Sequence, residues 1–259
     1  MNMKEKEIAV GGLSNPSKMP WLAYNIPAKA CLIGSYLVGV LDSVCSVCYA
    51  LGGRYMFPVV IAAMERRLAL IRKPEWADNM VRVLTAKAKN VTYYKRYFRW
   101  HDSGDLQGLW HLRAIGHIAY ETADLISYWI PTKELKQVRD YEKQYGQLPD
   151  NLCVRVSAMM VGSSAPKCDY PTSTVMSRGE IETLPYHKYY KVEEILNELC
   201  PASMVGLLNN KMHPVSVDTR TMLTDAIHRA GHESQGETAC GSCRRCWNKE
   251  VKNVIYIQH

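Results

Sequence analysis

The fold class is decided by residues 125–158, which have the sequence LISYWIPTKELKQVRDYEKQYGQLPDNLCVRVSA. Two apolar runs, residues 125–130 and residues 152–158, flank a polar segment. That segment has a helical pattern over residues 133–145 and stops at Gly146. A strand, a helix and a second strand in this order form a βαβ unit, whose strands are parallel. The stretch therefore predicts an α/β protein with a parallel sheet.

The same alternation continues toward the N-terminus and predicts where polar groups collect. Helices are expected at residues 58–72, 74–89 and 106–122 and a strand at residues 91–100, whereas the first 30 residues resemble a loop. Short polar segments follow the three predicted strands: HDSGD from residue 101, PTK from residue 131 and SA from residue 157. Functional sites of parallel sheets lie beyond the carboxyl ends of the strands. We expect a complete or partial TIM-type barrel over residues 1–199, with a C-terminal cysteine-rich metal-binding extension over residues 200–259.

Composition limits the classes of protein to consider. The 259 residues include nine cysteines and carry a formal net charge of +7. The first residues are charged, and no apolar run reaches the roughly 20 residues of a membrane span, so we expect a cytoplasmic protein without a membrane partner. Cysteines in a reducing compartment point to metal binding or catalysis rather than to disulfides. The basic charge favours an anionic partner, with nucleic acid or a nucleotide-type substrate as the leading candidate.

Cys31, Cys45 and Cys48 form a C-x13-C-x2-C cluster near the N-terminus. Two thiolates spaced by two residues can converge on one soft metal, and Cys31 adds a third from a separate loop segment. Three thiolates suit an open 4Fe-4S cluster, in which one iron is left for another ligand. A structural zinc site completed by a distant residue and a metal-free cluster are the alternatives.

Cys240, Cys243 and Cys246 form a C-x2-C-x2-C cluster near the C-terminus. Three thiolates this close repel one another when ionised, and a metal relieves that repulsion. The candidates for a fourth ligand are Cys200, His232 and His259, of which Cys200 is favoured. Both a structural zinc ion and a second, auxiliary iron–sulfur cluster fit this pattern.

The segment CSVCYA at residues 45–50 resembles the last two cluster cysteines of radical SAM enzymes. FRWHDSGDL at residues 98–106 stands where that superfamily holds the amino group of S-adenosylmethionine. The resemblance implies a 4Fe-4S cluster at the N-terminal cysteines, S-adenosylmethionine as cofactor and a partner that donates electrons. The positions it implies for cofactor binding are Ser103, Gly104, Asp105, Thr132 and Ser157. The leading hypothesis is a radical SAM-like enzyme acting on nucleic acid or a nucleotide-type substrate.

A second resemblance leads to a different chemistry. HDSGDLQ at residues 101–107 is similar to a loop of tRNA-guanine transglycosylases, which also carry a C-terminal cysteine–histidine zinc site. It implies a zinc-dependent base-exchange enzyme that modifies DNA or RNA, with Asp102 as general base and Asp218 as nucleophile. Next to this loop, His101 and Asp102 are candidates for acid–base work in either enzyme. The third hypothesis is a non-enzymatic nucleic-acid-binding protein that is stabilised by a structural zinc ion.

Nearly the whole chain also resembles one phage and plasmid family. The matching segments are YNIPAKAC from residue 24, CSVCYA, RWHDSGDL from residue 99, and CGSCRRCW from residue 240 before a final histidine. They are similar to the family called "gene product eighty-eight". This resemblance implies a mobile-element origin, with a phage-infected or plasmid-bearing bacterium as host, and it brings no activity with it.

Overall fold

A computed structural model describes residues 2–186, 192–210, 214–230, 240 and 243–258, and in them one sheet of six strands is formed. Every neighbouring pair of strands is parallel, and the spatial order follows the chain order. The strands are β1 (Ala23–Tyr24), β2 (Tyr97–Trp100), β3 (Ser127–Thr132), β4 (Leu152–Ser157), β5 (Thr172–Met176) and β6 (Asn253–Ile257). The predicted α/β class with a parallel sheet is confirmed.

Helices connect most of the strands. They are α1 (Met3–Ala9), α2 (Leu32–Leu37), α3 (Pro58–Leu70), α4 (Trp76–Ala88), α5 (Leu109–Glu121), α6 (Leu135–Tyr145), α7 (Arg178–Thr183), α8 (Val192–Glu198), α9 (Pro201–Leu208) and α10 (Val217–Arg229). Each strand from β1 to β5 is connected to the next strand in the chain, which is also its neighbour in the sheet. α5 lies in the connection between β2 and β3, and α6 lies in the connection between β3 and β4. Among the described residues, no helix has the length and apolar character needed to cross a membrane.

The two faces of the sheet have different partners, because successive side chains of a strand point to opposite sides. Phe98, Tyr128 and Val154 face the main core, which α4, α5 and α6 cover. Trp129 lies on the other face, where it packs against Trp247 with ring centroids 5.2 Å apart. That second face is therefore covered by the C-terminal residues rather than by the main helices.

The expected barrel and its C-terminal extension are corrected by this arrangement. Within the described residues the sheet is open, since β1 and β6 are its two edges, so a closed TIM-type barrel is not confirmed. β6 pairs with β5 along its whole length, from Thr172 opposite Asn253 to Met176 opposite Ile257. Residues beyond 200 thus complete the sheet, and a metal-binding extension appended to a finished domain is not supported.

Several boundaries differ from the predicted ones for local reasons. The strand expected over residues 91–100 is limited to β2, because Tyr93–Lys95 forms a 3-10 turn. α1 and β1 lie within the first 30 residues, where only loop was expected. β3 continues through Pro131, although proline was expected to end it. The register between β2 and β3 stops at Trp129, so Pro131 has a paired strand on the β4 side only, where a missing N–H is tolerated.

Candidate cofactor site at the carboxyl ends of the strands

The segment that carries the N-terminal cysteines, residues 30–48, is joined to the sheet beyond the carboxyl ends of β2, β3 and β4. Hydrogen bonds are made at all three strand ends. They include Gln107 Nε2 to Ala30 O at 2.8 Å, Ile33 N to Glu134 Oε1 at 3.0 Å and, beyond β4, both Val44 N to Met159 O at 2.8 Å and Val161 N to Asp42 O at 2.9 Å. The cysteine segment therefore lies at the edge of a parallel sheet where sites are usually built.

The three thiols of this segment lie near one another. Cys31 immediately precedes α2, and a Cβ placed on Gly34 would lie 3.5 Å from the Sγ atoms of both Cys31 and Cys45. Burial raises the pKa of Cys31 to about 12, and Asp105, Cys48 and Cys45 raise it further because their negative charges are close. A Cβ on Gly34 would also lie 2.9 Å from the Cβ of Cys31, so a side chain at position 34 would collide with the cysteine segment.

Lys133 and Asp105 complete the surroundings of these thiols. Burial raises the pKa of the Cys45 thiol, whereas the nearby ammonium of Lys133 and a hydrogen bond from it lower that pKa. Lys133 directly follows β3 and Asp105 follows β2. The ends of two adjacent strands thereby bring an acid and a base to the cysteines. Sequence analysis did not identify Lys133 as a site residue. Its only signal was its position just after a predicted strand.

The arrangement is not that of a preformed site for a single ion. In the part of the chain that the structure describes, no three His, Cys, Asp or Glu side chains are placed to hold one metal ion. A tetrahedral zinc site with Zn–S near 2.3 Å holds its sulfurs about 3.8 Å apart, whereas a four-iron cluster spreads its thiolates more widely. All nine cysteines lie in the described residues, and none forms a disulfide. The three N-terminal thiols are free and lie near one another, but they do not surround a single ion position.

The HDSGD loop, residues 101–105, depends on glycine. Gly104 has φ +88°, and a Cβ there would lie 2.3 Å from Cγ1 and 2.9 Å from the carbonyl oxygen of Ile26. Ile26 also donates its N–H to the carbonyl of Ser103 at 3.1 Å, which extends the contact of β1 with this loop. The hydroxyl of Ser103 is buried and has no hydrogen-bond partner among the described residues. The close approach of the two backbones is what fixes the loop beside the cysteine segment.

Asp105 joins this loop to the end of β3. Its carboxylate accepts hydrogen bonds from Leu106 N at 2.7 Å, Thr132 Oγ1 at 2.6 Å and Lys133 N at 2.9 Å. Burial raises the pKa of Asp105, and these three donors oppose the rise. The side chain was expected to receive the ammonium group of a cofactor, but three of its roughly four acceptor positions are occupied within the protein. Its observed contacts are those of a residue that holds two strand ends together.

We therefore expect Asp105→Asn to lower the free energy of unfolding by about 2–4 kcal/mol, because the new amide turns an N–H donor toward backbone donors. Asp140, an exposed acid on α6 that is paired with Lys136, offers a matched control. Asp140→Asn should change stability by less than about 0.5 kcal/mol. Urea unfolding of both variants measures the difference, and equal stabilities would show that the Asp105 contacts contribute nothing.

Asp102 is held by the segment that follows the N-terminal cysteines. Its Oδ2 accepts hydrogen bonds from Tyr55 at 2.9 Å and from Asn25 Nδ2 at 3.2 Å, and its backbone carbonyl accepts one from the hydroxyl of Tyr49. Its Oδ1 is buried and unpartnered among the described residues. Because Tyr49 directly follows Cys48, its hydrogen bond links Asp102 to the end of the cysteine segment. Sequence reasoning missed Tyr49, for which the only signal was an aromatic residue beside the final cysteine.

His101 and His111 form a buried pair of neutral imidazoles. Their ring centroids are 5.2 Å apart, and both rings are almost fully buried. Burial lowers the pKa of His111 to about 3 and that of His101 well below its usual value, the second ring adding to the effect on His101. Neither nitrogen of His101 has a partner among the described residues. At neutral pH these histidines can accept a proton only at a cost, which limits His101 as a general base.

This pair predicts a pH-dependent stability. A histidine whose pKa is lowered on folding binds a proton in the unfolded chain first, so the folded state loses stability as pH falls below about 6.5. Each histidine should contribute about 1.4 kcal/mol per pH unit between its unfolded and folded pKa values. Urea unfolding at pH 7 and pH 5 should show this loss, and His111→Gln should remove its own share of it. An identical pH dependence in that variant would contradict the assignment.

The remaining predicted residues are not all brought to this site. Ser157, at the end of β4, accepts a hydrogen bond from the hydroxyl of Ser173 at 3.1 Å. Asp218 is exposed in the first turn of α10, where the hydroxyl of Tyr186 donates to it at 2.9 Å. Among the described residues, Asp218 and Asp102 have different hydrogen-bond partners and no hydrogen bond joins them, and the pairing predicted for a transglycosylase stays a prediction. His232 and His259 lie outside the described residues.

The C-terminal cysteines are gathered at a second place. Cys200 directly precedes α9, and it packs with Cys246 beside Trp129 and Trp247 on the face of the sheet opposite the main helices. The hydroxyl of Tyr256 lies 3.0 Å from the Sγ of Cys246. This second group of thiols is separate in the fold from the N-terminal one, which lies at the strand ends.

The chain is thus an α/β protein with a parallel sheet, and a cysteine-bearing segment lies across the carboxyl ends of its strands. The chain matches the model of the Gene product 88 family over residues 4–249, and it belongs to that family. No curated protein and no solved structure matches the chain.

Proposed function

We propose that this protein is a radical SAM-like iron–sulfur enzyme that acts on nucleic acid or a nucleotide-type substrate. The observation that carries the proposal is the meeting of Cys31, Cys45 and Cys48 with Asp105 and Lys133 beyond the carboxyl ends of adjacent parallel strands. Three thiols without a fourth protein ligand leave room for an external ligand on a four-iron cluster. Cys31, Cys45 and Cys48 would hold such a cluster, which when bound and reduced would supply the electron for reductive cleavage of S-adenosylmethionine and so for hydrogen-atom abstraction from the substrate.

The donor set fits this group. Cysteine thiolates are the ligands that iron–sulfur clusters use, and the sulfurs of Cys31 and Cys45 both lie beside Gly34. The ammonium of Lys133 lies beside Cys45, where it offsets part of the negative charge of thiolates. Lys133 is also suited to bind the carboxylate end of an aminocarboxylate ligand.

The strand order supports a partial TIM-type barrel as the frame of this site. Sequential neighbours throughout a parallel sheet are the order of such barrels, in which catalytic groups come from several strand ends. The formal net charge of +7 favours a polyanionic substrate.

The proposal is tested on full-length protein purified without oxygen. We expect a brown protein with absorbance near 400 nm and, after addition of a strong reductant and S-adenosylmethionine, the formation of methionine and 5′-deoxyadenosine. Cys168→Ala serves as control, since this half-buried cysteine bonds only to the carbonyl of Tyr170 in the described structure and should leave both results unchanged. A colourless protein containing zinc, or an iron protein that leaves S-adenosylmethionine intact under reduction, would refute the proposal.

A further inference from the structure

Four cysteines from two distant segments meet on the face of the sheet opposite the main helices. Cys240 and Cys243 are joined by a hydrogen bond from Cys243 N to Cys240 O at 2.9 Å. Cys246 follows in a 3-10 turn that packs on β3 and β4. Cys200 is fixed beside it by a hydrogen bond from its N–H to Ile255 O at 2.7 Å. Tertiary structure thus adds a fourth thiol to a group of three that is already close in sequence.

The four thiols are near enough for their charges to interact. Burial raises the pKa of Cys240 to about 12, and Cys200 and Cys243 raise it further. Burial likewise raises the pKa of Cys246, to which Cys200 and Cys240 add.

Arg155 provides an independent sign that negative charge belongs here. Its side chain is fully buried and projects from β4 toward the turn that carries Cys246. Among the described residues, its guanidinium donates to four carbonyl oxygens, Thr172 O at 2.8 Å, Val251 O at 3.0 Å, Arg245 O at 3.1 Å and Asn248 O at 3.1 Å, and more weakly to the Sγ of Cys153 at 4.0 Å. Its Nε is buried without a partner, and no carboxylate of the described chain forms an ion pair with it. A buried cation without a counter-charge is strongly unfavourable, so a missing anion is implied.

Backbone donors are also directed at one of the sulfurs. The N–H groups of Ala202 and Ser203, in the first turn of α9, lie within hydrogen-bonding reach of the Cys200 thiol and lower its pKa against the effect of burial, which raises it. Donors at a helix N-terminus stabilise a thiolate over a thiol, and such bonds are typical around metal-bound sulfur.

We propose that Cys200, Cys240, Cys243 and Cys246 bind a closed 4Fe-4S cluster whose charge is balanced by Arg155. Four thiolates around a core of charge +2 leave a net charge of about −2, which supplies the missing partner of the buried guanidinium. Three cysteines spaced C-x2-C-x2-C plus one remote Cys-Pro, here Cys200 before Pro201, repeat the ligand pattern of bacterial iron–sulfur proteins. With four protein ligands this cluster has no open position, and it joins β6, α9 and the C-terminal turn.

The first test counts iron in full-length variants purified without oxygen. The triple variant Cys31→Ala, Cys45→Ala, Cys48→Ala should retain about four irons and four sulfides per chain. Cys200→Ala and Cys243→Ala should each have about four irons fewer than the wild type, while Cys168→Ala keeps the full content. One zinc per chain that disappears with Cys243, or iron that is unchanged in Cys200→Ala, would overturn the assignment. This count is independent of the proposed function, because it holds whether or not the N-terminal cysteines bind a cluster.

The second test concerns Arg155 and uses a readout that packing alone would not change. Reduction adds one negative charge to the cluster, and the adjacent guanidinium favours it. Arg155→Met should therefore shift the reduction potential of the C-terminal cluster to a more negative value, while Arg155→Lys, which keeps the charge, should stay near the wild type. The potential is measured in the triple variant, where only this cluster remains. Equal potentials in the Met and Lys variants would overturn the role given to Arg155.

Discussion

Gly104→Ala should destabilise the protein by about 3–5 kcal/mol, the largest stability effect expected of a single methyl group here. Two costs add at this position. The backbone has φ +88°, a conformation that costs a non-glycine residue about 1 kcal/mol or more. The added Cβ would also lie 2.3 Å from a side-chain carbon of Ile26 and 2.9 Å from its backbone oxygen, so β1 and the HDSGD loop would have to separate.

Gly146 provides a matched control for this substitution. It has φ +86°, but nothing lies within 4 Å of the position that its Cβ would take. With ψ −168° its backbone is in a conformation that is nearly restricted to glycine, so Gly146→Ala should cost the backbone term alone, about 1–3 kcal/mol. Urea unfolding of both variants separates conformational strain from collision. Similar losses in the two would mean that the loop does not press against Ile26.

Cys45→Ala should remove the N-terminal cluster, with a loss of about four irons per chain and of all reductive cleavage of S-adenosylmethionine. The reason is ligand count, because a three-thiolate cluster reduced to two protein ligands is not retained. Iron from the C-terminal cysteines should remain, since Cys200 and Cys246 lie at a separate place in the fold. Cys168→Ala is the control, with both activity and iron content expected at the wild-type level.

An unchanged iron content in Cys45→Ala would contradict the N-terminal cluster. A loss of iron with cleavage of S-adenosylmethionine retained would show that this reaction does not depend on the N-terminal cluster, and it would favour a different enzyme class. Circular dichroism of the variant should show a retained fold, because the main core is built from residues outside α2 and the cysteine segment.

The part of the fold built from local alternation could be predicted from the sequence. α6 and the strands on either side of it are found close to their expected bounds, since each carries its own periodicity. β5 and β6 were not expected, because β5 has the sequence TSTVM with little apolar character and β6 lies at the end of a region dominated by its cysteines. Their pairing depends on contacts between residues about 80 positions apart, which sequence periodicity does not encode.

The candidate site could be predicted as a list of residue types but not as a geometry. Spacing alone indicated the six cysteines of the two clusters. The position of Cys200 beside Cys246 depends on α9 packing under β6, and the position of Lys133 beside Cys45 depends on a loop that crosses three strand ends. Asp105 was predicted as a cofactor-binding acid, and the hydrogen bonds that it accepts from Thr132 and Lys133 at the next strand end could not be predicted from its position in the sequence.

Electron paramagnetic resonance of the reduced protein, recorded with and without S-adenosylmethionine, tests the central claim most directly. If Cys31, Cys45 and Cys48 hold a cluster with an open iron, its signal should change when S-adenosylmethionine binds. That same component should be absent from Cys45→Ala, while a signal from the C-terminal cluster should be indifferent to the added compound. A reduced protein whose entire spectrum is unaffected by S-adenosylmethionine would contradict the account.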